Sequence, residues 1–153
     1  MNLQSLLAAR VQAGRPVRIG LIGAGKFGSM FLAQVPSIAG LEVALICDRD
    51  VDRAKAACRT VGWDAGRIAR TLFSARGRDA CIDERVEVVV EATGDPGAGI
   101  AHALAAIEAR KPEFSITKAA RLPERKMPPQ VAAPSPSLVT RMVRMSESAS
   151  SAG

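Results

Sequence analysis

The apolar run Val17-Arg18-Ile19-Gly20-Leu21-Ile22 passes directly into Gly23-Ala24-Gly25-Lys26-Phe27-Gly28. Twenty residues beyond Gly28, Asp48 closes a second apolar run, Leu41-Glu42-Val43-Ala44-Leu45-Ile46-Cys47. Few folds accommodate that order. Val17–Ile22 reads as a buried strand, and the residues after Gly25 carry Phe27, Met30, Phe31 and Val35 at helical spacing until Pro36 stops the helix. Strand, glycine turn, helix and second strand, with an acid at the second strand's end, form the geometry that holds a dinucleotide. Gly23 allows the tight turn, Gly25 admits a pyrophosphate close to the backbone, and Gly28 lets the helix pack on the strand. The N–H groups of the helix's first turn, beginning at Lys26 and Phe27, and the positive end of its dipole then face the phosphates. The competing reading is a glycine turn that serves only a tight strand–helix connection.

Asp48 is expected to accept hydrogen bonds from both hydroxyls of the adenosine ribose, which favours NAD. Arg49 beside it suits a 2′-phosphate, which leaves NADP open; otherwise it is a solvated loop arginine. A third strand is read over Val86–Ala92. It ends in Thr93-Gly94-Asp95-Pro96, and an alanine-rich helix follows, with Asp95 as its cap and Pro96 at its first position. Thr93 and Gly94 then lie where a cofactor crosses toward its nicotinamide, unless the Thr93 hydroxyl only satisfies local backbone. The glycine spacing and Thr93-Gly94 argue against an S-adenosylmethionine methyltransferase, which also uses a glycine turn and a strand-end acid.

From Val17 to Lys111 the chain resembles the nucleotide-binding half of the homoserine-dehydrogenase-like oxidoreductases. Within them it is most similar to the deoxyxylulose-phosphate reductoisomerase-like bacterial enzymes. The resemblance rests on residues 20–28, on Cys47-Asp48-Arg49-Asp50 and on Val89-Val90-Glu91-Ala92-Thr93-Gly94. It implies NAD(P)-dependent oxidoreduction and leaves the substrate open. Thr117-Lys118-Ala119-Ala120 resembles a lysine-bearing segment of homoserine dehydrogenases, but no catalytic residue is carried over from it.

The expected architecture is therefore α/β: an incomplete Rossmann-type doubly wound parallel sheet with a disordered C-terminal tail. Residues 1–15 form an N-terminal helix with Leu3, Leu6, Leu7 and Val11 on one face, and 16–111 the NAD(P)-binding domain. Within that domain, Asp50–Val61 reads as a helix capped by Asp50, a short strand is expected near Thr71–Phe73, and a brief helix over Asp79–Arg85. At Pro112 the composition changes. Six of nine prolines and seven serines fall in 112–153, with six Lys/Arg against three Glu. This segment is expected to be disordered, either as an appendage for an acidic partner or as an out-of-frame replacement for a lost strand and substrate domain. The loss would leave an exposed sheet edge after Ala92, open to self-association.

The net charge of +6 is scattered and aromatics are 3%, so no nucleic-acid surface is expected. No run approaches a membrane span. Cys47, Cys58 and Cys81 lack metal or disulfide spacing and read as reduced thiols of a cytoplasmic protein. His102, the one histidine, is expected at the surface of its helix, and no metal site is expected. The functional expectation is a dinucleotide-binding domain of an oxidoreductase, truncated and inactive alone. The alternatives are a non-catalytic nucleotide-sensing module and a non-functional truncated product.

Overall fold

The computed structural model describes residues 2–115. Five parallel strands form one sheet in the order β3-β2-β1-β4-β5: β1 Val17–Ile22, β2 Leu41–Cys47, β3 Leu72–Ser74, β4 Val88–Glu91 and β5 Glu113–Ser115. Chain order runs outward from β1 through β2 to β3 and returns across the sheet to β4. A switch point therefore lies between β1 and β4.

Among the described residues, α1 Leu3–Gln12 precedes the sheet and five α-helices connect its strands: α2 Lys26–Gln34, α3 Val51–Thr60, α4 Ala65–Arg70, α5 Arg78–Ile82 and α6 Pro96–Glu108. Alternation along the strands sends side chains to two cores. Ile19, Leu21, Val43, Ile46, Val90 and Ala92 meet Leu32 of α2, Ala54 and Cys58 of α3, and Trp63. Ile22, Leu45, Cys47 and Val89 meet Ala80 and Cys81 of α5 and Ala105 and Ala106 of α6. Caps agree with the sequence at α3 and α6, where Asp50 accepts from the Arg53 N–H and Asp95 from the N–H groups of Gly97 and Ala98.

Several expectations need correction. Residues 113–115 pair in parallel with β4, so the domain runs past Lys111 and the edge expected after Ala92 is covered by β5. The remainder of the segment read as a tail, including Lys118, lies outside the described residues. On α1, Leu6 is buried, but Val11 is exposed and Arg10 takes the inner face. Arg10 donates to both carboxylate oxygens of Glu87 at 2.7 Å, tying α1 to the residue before β4. Pro36 ends α2 but continues into a 3₁₀ turn over Val35–Ser37. Helix α4 was not anticipated; its six residues carry no apolar period, and Asp64 caps it.

Candidate functional site

At the carboxyl ends of β1, β2 and β4 opens a cleft of about 400 Å³, the position where open α/β sheets bind ligands. Its walls bring together Gly23, Gly25, Asp48, Arg49, Thr93 and His102.

The glycine turn is fixed by sterics. Gly23 has φ +91°, and a β-carbon there would lie 2.9 Å from the Ala92 carbonyl carbon and the Thr93 nitrogen. A β-carbon on Gly28 would overlap the Gly23 carbonyl oxygen, so α2 rests directly on the turn. Gly28 thus relieves a contact with the turn itself rather than with the body of the strand. Gly25, the N-cap of α2, has nothing within 4 Å of its β-carbon position. That open space beside the first-turn N–H groups fits a pyrophosphate. Lys26 is exposed, Phe27 packs against the core beneath, and neither side chain lines the cleft.

Asp48 is buried, and its carboxylate is already engaged. Oδ2 accepts from the Ala24 N–H at 2.8 Å; Oδ1 accepts from the Asp50 N–H at 3.0 Å and from Arg53 at 2.8 Å. Burial alone would raise its pKa, but the N–H groups of Asp50 and Ala24 and the Arg53 guanidinium outweigh that and hold it below the usual carboxylate range. A carboxylate offers about four acceptor sites, so Asp48 has room for one ribose hydroxyl rather than two. Its first role is to hold the turn at Ala24. The arginine paired with it is Arg53, one turn into α3, while Arg49 stands exposed on the cleft wall.

At the end of β4, the Thr93 hydroxyl donates to Glu91 and accepts from the Asp95 N–H at 3.2 Å. Gly94, at φ +73°, is exposed beyond the lining residues. His102 is not a surface residue: its side chain is 16% exposed and lines the cleft. Glu91 is fully buried behind it, and neither this burial nor the pairing of Arg53 with Asp48 follows from local sequence pattern. The spacing of small residues on α6 carries a signal, since Ala105 and Ala106 are buried and lie one turn beyond His102 on the same face.

Burial raises the thiol of Cys47 to about 12 and lifts those of Cys58 and Cys81 as well. Among the described residues, no group of three His, Cys, Asp or Glu side chains is placed to hold a metal, and no helix is long and apolar enough to cross a membrane.

Residues 17–115 match the GFO/IDH/MocA model, described as an oxidoreductase family with an NAD-binding Rossmann fold. The chain belongs to this family. That assignment replaces the homoserine-dehydrogenase-like and reductoisomerase-like affiliation expected from the motifs, whose glycine turn and strand-end acid are shared by many dinucleotide folds. Similar solved structures include the myo-inositol dehydrogenase of Lactobacillus casei in complex with NAD(H) and myo-inositol, at 24% identity and TM-score 0.55. That similarity covers 65% of this chain and 28% of the other. The scyllo-inositol dehydrogenase of the same organism, with bound NAD(H) and scyllo-inositol, is 16% identical at TM-score 0.54, covering 66% and 28%. A myo-inositol dehydrogenase from Corynebacterium glutamicum is 21% identical at TM-score 0.52, covering 65% and 27%. At these identities the likeness is one of fold, and the chain spans about a quarter of each structure. No match is found among the curated proteins.

Proposed function

We propose that residues 17–115 bind NAD with the pyrophosphate over Gly25, the adenosine ribose beside Asp48, and the nicotinamide half directed past Thr93 and Gly94. The N–H groups of Lys26, Phe27 and Gly28 take the phosphates. The observation that carries this reading is the empty space at Gly25, in a turn where Gly23 and Gly28 are both held in contact. Arg49 and Arg53, on the same wall, supply the charge that an NADP 2′-phosphate would meet.

The larger role is the cofactor-binding half of an oxidoreductase. The nicotinamide carries the hydride chemistry; this domain binds and orients it. Substrate positioning, which supplies on the order of 7–11 kcal/mol of barrier reduction, is not supplied by residues 17–115, so those residues by themselves are expected to bind the dinucleotide without turnover. Calorimetric titration with NADH and NADPH tests the reading. Binding by the wild-type chain and its loss in Gly25→Val support it; equal affinity in both proteins overturns it.

A further inference from the structure

Helix α6 is apolar on two sides. Ala105 and Ala106 are buried against the sheet. On the outer side, Ile100, Leu104 and Ile107 follow the i, i+4, i+7 spacing of one helix face and are 65%, 58% and 70% exposed. A helix that is apolar all round is ordinarily covered on both sides. Three large side chains in one row also differ from Val11 or Ile82, which stand singly and which a surface tolerates.

The place of α6 in the sheet says where a cover can come from. α6 leads from β4 to β5, and β5 ends at Ser115 as the last strand on that side among the described residues. Connections in parallel sheets keep one hand, so chain leading on from β5 is directed over the face that α6 already covers. The sequence continues from there through residues 116–153.

Beyond Ile116, the large apolar residues Leu122, Met127 and Val131 stand singly among prolines and charges. One stretch differs. In Leu138-Val139-Thr140-Arg141-Met142-Val143-Arg144-Met145 the apolar residues recur at i, i+1, i+4, i+5 and i+7. Thr140, Arg141 and Arg144 fall together on the other side of a helical projection, and Ser137 precedes the run as a cap would. Residues 116–137 intervene, and a chain of that length spans on the order of 25 Å. With 13 residues, α6 is about 20 Å long, so the stripe lies within reach.

We propose that residues 138–145, which lie outside the described residues, dock through their apolar side on the Ile100-Leu104-Ile107 stripe of α6. So short a helix is marginal in water by itself, so the segment takes helical form only against the stripe. Docking needs no bound cofactor and stands apart from the reading of the cleft. A second copy of the chain is the competing occupant.

The test is limited trypsin digestion of the full chain, read by mass at Arg141 and Arg144 inside the segment and at Arg121 and Arg125 outside it. Cleavage of a docked site follows the undocked fraction. The wild type is therefore expected to be cut at Arg141 and Arg144 at least about tenfold more slowly than at Arg121 and Arg125, as for a docked population about ten times the free one. Leu104→Glu on the stripe and Met142→Glu in the segment each abolish that protection, whereas Ile82→Glu, at an exposed apolar position on α5, keeps it. Ile107→Ser is a milder change at the most exposed of the three positions, and it reads the same contact if Leu104→Glu does not fold. Equal cutting at all these sites in the wild type, or protection that survives both stripe variants, overturns the proposal. Protection that disappears on dilution, together with a dimer in sedimentation, gives the stripe to a second copy and overturns it as well.

Discussion

On one face of the sheet, Leu32, Ile46, Ala54 and Trp63 close around Leu21, and the buried indole N–H of Trp63 donates to the Leu32 carbonyl at 2.9 Å. On the other, small residues (Ala80, Cys81, Ala105 and Ala106) pack beside Glu91, His102 and Glu113, two of which hold buried polar atoms without a hydrogen-bond partner. The first face is filled with large apolar side chains and satisfied polar groups, the pattern that stabilises. The second gives up apolar contact to place titratable groups beside the cleft. Large apolar contacts and titratable groups thus lie on opposite sides of the same five strands, and the glycine turn at the head of α2 belongs to the first.

The largest effect should come from the apolar face. Leu32→Ala removes a fully buried side chain and leaves a cavity, at an expected loss of about 2–5 kcal/mol, measurable by urea denaturation. A smaller loss there than from His102→Gln would break the comparison.

Next comes a change that separates the two properties at one position. Gly25→Ala puts a β-carbon into open space, so stability should move by less than about 0.5 kcal/mol, as for a tolerated surface substitution. Affinity for NADH should nevertheless fall at least about tenfold, some 1.4 kcal/mol. Gly28→Ala should do the reverse and damage the fold, because its β-carbon meets the Gly23 carbonyl. Paired titrations and melts of the two variants sharpen the contrast.

The smallest effect concerns acid. Hydrogen bonds from Arg85 hold the Asp83 carboxyl at about 2, against an ordinary value near 4. A depressed folded-state pKa means that its stabilisation is present above the unfolded value and lost as pH falls from about 4 through about 2. Arg85 is more than half exposed, so the loss should stay under about 1 kcal/mol. Asp83→Asn should remove that share of the acid sensitivity in denaturation curves taken across the window.

The same asymmetry explains what was readable from the sequence. β1 and β2 are found at their expected bounds because each is a continuous apolar run closed by a glycine or an acid. β5 escaped because three residues, Glu113-Phe114-Ser115, follow a proline and take their strand character only from pairing with β4. On α6 the periodicity of large apolar residues points the wrong way. Ile100, Leu104 and Ile107 share an exposed stripe, while the small residues around His102 turn inward. Size, rather than hydrophobicity, selected the buried face, because α6 lies close over a layer already occupied by α5 and Glu91. The glycine turn was legible since its chemistry is local. The roles of Glu91, His102 and Arg53 were not, because they depend on partners that the fold brings together.

The three cysteines give each layer its own clock. Cys58 sits in the core with Trp63, whereas Cys47 and Cys81 sit in the core against α5 and α6. All are buried, with thiols raised by that burial, so an alkylating reagent in neutral buffer finds almost no thiolate until the chain opens. The order in which the three acquire label then reports which side of the sheet breathes first, without any introduced probe.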